Sequence, residues 1–182
     1  MFTAEVEMTP FSEALQSLPS QALPARAKQS FQEGLECLQS GDAAAAVAAL
    51  SQSLEHAPDF ATGHLFLGIA QALTYTIYPA IDHLEIATRL EPGSFAAHFT
   101  LAQLNFKLRI PQKGYEAAER ARRCIGTLDQ RKMLTQLLKE ERTRERDGIA
   151  RPWFNKPFSV QALVLSGGGL VAAIVAIAAH MH

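Results

Sequence analysis

Small and apolar positions recur along this chain every 34 residues: Gly34, Gly68 and Ala102 stand in register, as do Ala46 and Ala80, Leu50 and Leu84, and Pro58 and Pro92. Ser53, Ala87 and Ala121 make another row, and Ala27, Ala61 and Phe95 another. A period of this length, with small residues at fixed offsets, predicts an array of helical hairpins. A single hairpin cannot bury its own apolar face; stacking about three closes a continuous core. The small rows let helices approach closely where a Leu would hold them apart. Pro58 and Pro92 end one helix and open the next segment. Asp42, Ser94 and Asp129 stand where a side-chain oxygen accepts amide bonds at a helix start. The pattern divides the chain into an N-terminal arm, 1–26, and three units, 27–60, 61–94 and 95–128.

Beyond the third unit the apolar pattern changes twice. Residues 129–147 read as one more helix, with Met133, Leu134, Leu137 and Leu138 as its apolar stripe and charges elsewhere. That pattern suits a capping helix, one face on the last repeat and one in water. Gly148 and Pro152 break the pattern, and 148–157 reads as a hinge. From Phe158 to Ala179 no residue is charged. About 20 helical residues span the hydrocarbon core of a bilayer, so 158–179 is predicted to be one transmembrane helix. Its alternative is a buried helix of the domain. Arg151, Trp153, Phe154, Lys156 and Phe158 precede the run and suit the membrane interface. Bases lie before the run and none follows it, which predicts a single-pass membrane protein with its repeats facing the cytoplasm. Gly169 with Ala173, and Ala172 with Ala176, are small pairs at the spacing that favours helix–helix association in the bilayer.

The residues that carry the 34-residue register resemble the tetratricopeptide repeat (TPR) family. They are Gly34, Gly41, Asp42, Ala46, Leu50, Leu54 and Pro58 in the first unit, and Leu67, Gly68, Ala80, Leu84, Ala87 and Pro92 in the second. In the third they are Leu101, Ala102, Ala118 and Ala121, with Gly114 where the others have Ala. Two features depart from the family. Ser30, His64 and His98 replace a large aromatic early in each unit, and the Gly41-Asp42 turn becomes Tyr75-Thr76 and Arg109-Ile110. The resemblance implies an all-α solenoid that binds a protein or peptide on the surface lined by the first helix of each unit. It maps that lining onto Lys28, Phe31, Leu35 and Leu38, then Leu65, Ile69 and Ala72, then Phe99, Gln103 and Phe106. Chaperone-binding members grip a terminal carboxylate there with a Lys/Asn/Arg clamp. This chain has Lys28 but apolar residues where the rest of the clamp would be, so an apolar peptide or amphipathic helix is the better fit. The layout is also similar to that of tail-anchored mitochondrial fission adaptors, without the basic tail that follows their span.

Charge and composition sharpen this picture at a few points. Net charge is −1, unevenly spread: residues 1–60 hold eight acids against Arg26 and Lys28, and residues 113–156 hold twelve bases against seven acids. Abundant alanine favours helix and leans the localisation towards a bacterial inner membrane. Met1 to Thr9 lacks the basic start and apolar run of a signal peptide. Cys37 and Cys124 lie in different units without metal spacing and read as reduced packing residues. No P-loop, HExxH, GxSxG or dinucleotide fingerprint is present, so neither an enzyme nor a cofactor is expected, and no nucleic acid is an expected partner. His64 and His98 hold the same place in successive units; helix packing is expected of them, with a shared metal the sharper alternative. His56 and His83 are expected at the surface. Phe2, Met8, Phe11, Leu15 and Leu18 give the arm an apolar side that would compete for the lining; a disordered arm is the equal alternative.

Overall fold

The computed structural model describes residues 23–149. They form seven helices and, among the described residues, no strand: α1 (Ala25–Ser40), α2 (Ala43–His56), α3 (Ala61–Leu73), α4 (Ile77–Leu90), α5 (Phe95–Lys107), α6 (Pro111–Arg123) and α7 (Leu128–Ile149). Among the described residues the chain divides within α7: residues up to Glu141 form one unit, and the end of α7 from Arg142 lies in another. Residues 1–22 of the expected arm, and the expected hinge and apolar run from residue 150 on, lie outside the described residues; Ala25 and Arg26, placed in the arm from the sequence, already belong to α1. Among the described residues no helix is long and apolar enough to cross a membrane.

Helices pair as α1–α2, α3–α4 and α5–α6, and each hairpin stacks on the next through α2 against α3 and α4 against α5. The first helices also meet one another, α1 with α3 and α3 with α5, which makes them the inner layer of the stack.

The three hairpin turns are one structure repeated. Gly41, Tyr75 and Arg109 stand in register, and all take a left-handed backbone, with φ of 83°, 61° and 62°. In each turn the left-handed residue donates its amide three residues back: Gly41 to Leu38 O, Tyr75 to Ala72 O and Arg109 to Phe106 O. The next amide reaches five back: Asp42 to Cys37 O, Thr76 to Gln71 O and Ile110 to Asn105 O. This paired bonding is the Schellman closure, which satisfies carbonyls a helix end leaves orphaned. Tyr75 and Arg109 hold it against the steric penalty that only glycine escapes. The departures from Gly-Asp therefore change the strain in the turn and leave its geometry intact.

Packing explains the small rows. A Cβ on Gly34 would stand 2.6 Å from Leu50 Cγ, and one on Gly68 would stand 2.8 Å from Leu84 Cγ. In the third unit both partners change together, Ala102 with Ala118, so one methyl is added where three carbons of a leucine are lost. Gly114 replaces the Ala46 and Ala80 of its row because the Phe106 ring fills the space its Cβ would need. Ser53, the polar member of its row, is fully buried and donates its hydroxyl to Ala27 O at 2.7 Å, tying α2 to α1.

Helix starts follow local chemistry. Asp42 accepts from the Ala45 amide at 2.9 Å and Ser94 from the Ala97 amide at 3.4 Å. At α7 the cap is Thr127 rather than Asp129. Thr127 Oγ1 accepts from the Gln130 amide, and Gln130 Oε1 accepts from the amides of Gly126 and Thr127. This reciprocal capping box satisfies the Gln130 amide in the first turn and the two amides just before the helix. Asp129 instead pairs with Lys132 at 3.0 Å in the open. Leu134 is buried, and Met133, Leu137 and Leu138 pack half-buried against the same core.

Candidate functional site

The inner helices carry all ten positions of the expected lining, and burial divides them. Phe31, Leu65, Ile69, Phe99 and Phe106 are at most 9% exposed and belong to the core. Leu35, Leu38, Ala72 and Gln103 are half-buried, and Lys28 is exposed. The core members explain themselves by their contacts. Phe31 meets Phe60 edge-on, with centroids 4.9 Å apart, and Phe66 at 5.7 Å, so it joins the first hairpin to the second. Phe99 stacks on Phe95 at 5.4 Å, and Phe106 meets Tyr115 edge-on at 5.0 Å across the third hairpin. Such pairs hold more than their buried area alone gives. The side chains from the lining with surface left to offer are Lys28, Leu35, Leu38, Ala72 and Gln103.

Burial goes further than a row of lining positions. In α3 every residue from Thr62 to Ala70 is buried, and in α5 every residue from Phe95 to Ala102 is buried. A helix that is apolar nearly all round reads this way, and α3 has only Thr62, His64 and Gln71 as polar side chains. Periodicity within the lining could not separate core from surface here, because apolar residues occupy every face. The membrane-interface residues Arg151, Trp153, Phe154, Lys156 and Phe158 lie outside the described residues.

On the first hairpin an open hollow of about 500 Å³ lies between α1 and α2. Ala45, Ala48 and Ala49 contribute to its lining, together with Glu33 and Glu55. The sequence reading missed it, since only the alanine run of α2 hints at a low surface there.

Of the four repeat-domain histidines, His83 alone departs from its expected place. His56 is exposed. His83 is half-buried, and its Nδ1 lies 2.9 Å from the Nδ1 of His64. His64 is thus joined to His83 across its own hairpin. His98 is buried like His64, and its Nε2 lies 3.0 Å from Pro92 O, matching the 2.8 Å between His64 Nε2 and Pro58 O. Both rings turn Nε2 to the carbonyl of the proline six residues before them. Burial lowers the affinity of His98 for a proton, the Pro92 carbonyl opposes that, and Arg120 adds to it. Among the described residues no group of three or more His, Cys, Asp or Glu is placed to hold a metal.

Cys37 and Cys124 are free, half-buried thiols. Burial raises the Cys124 thiol above its usual range, which keeps it protonated and unreactive at neutral pH. On α6 the basic balance is partly spent internally: Arg122 holds both carboxylate oxygens of Glu119 at 2.8 Å. These hydrogen bonds above all draw the Glu119 carboxyl down to about 2.

No family model matches this chain, and no curated protein does. Solved structures do. The TPR2B domain of yeast Sti1, in its complex with pHsp70, superposes with a TM-score of 0.62 at 20% identity, over 65% of this chain and 98% of that one. The Sgt2 TPR domain of Aspergillus fumigatus gives 0.62 at 19% identity, over 77% of this chain and 94% of that one. MamA gives 0.54 at 16% identity, over 76% and 86%. The chain therefore has the TPR fold, an all-α solenoid of helical hairpins.

Proposed function

We propose that this protein is a membrane-tethered scaffold that recruits a protein partner through the inner face of its TPR array. The TPR fold carries this reading: the similar domains include the TPR2B domain of Sti1, solved in complex with pHsp70. The occupant fits the surface on offer. Leu35, Leu38 and Ala72 present partly covered apolar side chains and Gln103 a polar one, with Lys28 as the cation of the set. Such a surface suits the apolar side of an amphipathic helix or an extended apolar peptide, with one acidic group near Lys28. The tether is the uncharged run 158–179, flanked by Arg151, Trp153 and Lys156, with the repeats on the cytoplasmic side.

A second reading rests on the small pairs Gly169 with Ala173 and Ala172 with Ala176. In it the chain is a structural subunit of a membrane complex, assembled through its span. Affinity capture separates the two readings. A chain ending at Arg151 keeps its partner if the repeats recruit it, and Leu35→Asp together with Leu38→Asp abolishes the capture. Partners recovered only with the full chain, and unaffected by those substitutions, would favour the subunit reading.

A further inference from the structure

We propose that the edge formed by the second and third hairpin turns is a contact surface for the headgroups of an anionic bilayer. This rests on the membrane-tethered reading and adds a face to it. The hairpins stack in one sense, so their turns line up along one edge of the array. The first turn, Gly41-Asp42, is small, and its carboxylate accepts the Ala45 amide. The other two differ. From Gln71 to Ile81 no residue is charged, and Tyr75 and Tyr78 stand 72% and 83% exposed. From Gln103 to Tyr115 the charged residues are Lys107, Arg109 and Lys113, all basic and all exposed. Ile110 beside them is 38% exposed. Three of the five large apolar side chains left exposed among the described residues thus share this edge.

Backbone strain points to the same two turns. The left-handed position is glycine at 41 but Tyr at 75 and Arg at 109. Closing the turn needs no more than the glycine of the first unit. The second and third units instead carry the steric cost of a Cβ and keep a large side chain at the tip. Strain of this kind clusters at sites of function.

The chemistry selects a lipid surface. Tyrosine joins an apolar ring to a polar hydroxyl and settles where hydrocarbon gives way to headgroups. Arg and Lys reach phosphate with their charged ends while their stems lie on apolar surface. Each base held near an anionic leaflet strengthens binding by about fivefold. These side chains sit on turn tips, which meet a plane more readily than they enclose a peptide. The next acids along α4 and α6, Asp82 and Glu116, lie about a turn further on and are exposed.

The test uses full-length protein in nanodiscs with a gadolinium chelate on a trace of the headgroups, read by paramagnetic broadening of amide resonances. In phosphatidylcholine mixed with phosphatidylserine, amides of 74–78 and 109–113 are expected to broaden severalfold more than those of 57–60 and 91–94, which close the opposite edge. In phosphatidylcholine alone that contrast is expected to shrink severalfold. Tyr75→Gly combined with Tyr78→Ser and Arg109→Gly relieves both strained tips, so the fold is retained while the contrast is lost. Lys113→Gln, an exposed change that leaves the turns alone, is expected to weaken it as well. A contrast that survives in both variants, equal broadening of the two edges, or a contrast as large without phosphatidylserine would overturn the proposal. So would edge resonances that shift with a soluble acidic peptide while anionic discs leave them unmoved. A full-length chain that enters no disc would strike the tether itself, and this contact with it.

Discussion

Phe31→Ala is expected to lower the unfolding free energy by about 3–5 kcal/mol, because a buried aromatic is removed and its cavity cannot fully collapse. Phe31 is 2% exposed and touches both Phe60 and Phe66, so the hole opens at the junction of two hairpins. Domains of this size are stable by only about 5–15 kcal/mol, so much of that margin goes. Leu35→Ala, one turn further along the same lining, is half-buried and is expected to change stability far less. Urea unfolding followed by circular dichroism checks both. Equal, small effects would mean that Phe31 belongs to an open binding surface after all.

The second large effect is a change of sign. Leu84 is fully buried, and Leu84→Ala is expected to cost about 2–5 kcal/mol. In the wild-type background Gly68→Ala drives a methyl to 2.8 Å from Leu84 Cγ and 3.0 Å from the Ala80 carbonyl oxygen. Overfilling of this kind costs about 1–3 kcal/mol, against which helix propensity returns about 1 kcal/mol. With Leu84 already cut to Ala, the leucine carbons are gone and the new methyl enters space they left. With only the 3.0 Å contact to the Ala80 carbonyl oxygen left to relax, the same Gly68→Ala is then expected to stabilise, by at most about 1 kcal/mol from propensity. The double variant reproduces the Ala102 and Ala118 combination that the third unit already carries. Residues in contact couple by about 0.5–3 kcal/mol, and a double-mutant cycle measures it. Additive effects would show that the two positions do not share one packing site.

The same pair shows what was legible in the sequence. The register of small residues and prolines pointed to the six hairpin helices, because close helix approach and helix termination each need a particular residue type, and the stripe of Met133, Leu134, Leu137 and Leu138 pointed to the seventh. Turn geometry was less legible. Tyr75 and Arg109 do not look like left-handed residues, yet the Schellman bonds around them impose that backbone. Asp129 looked like a cap, but Thr127 and Gln130 lie three apart and satisfy more amides between them. At the candidate site the sequence named the inner helices. It did not separate Phe31 from Leu35 or Leu65 from Ala72, since all are apolar and only packing decides which keeps exposed surface. The His64–His83 bond joins residues 19 apart on two helices, and no spacing rule within one helix points to it.

Fractionation bears most directly on the reading as a tethered recognition domain. Full-length protein is expected to remain with the membrane pellet after a carbonate wash, and the chain ending at Arg151 to appear in the supernatant, still helical and folded. If both chains fractionate alike, the run 158–179 is not a membrane anchor and the tether is contradicted.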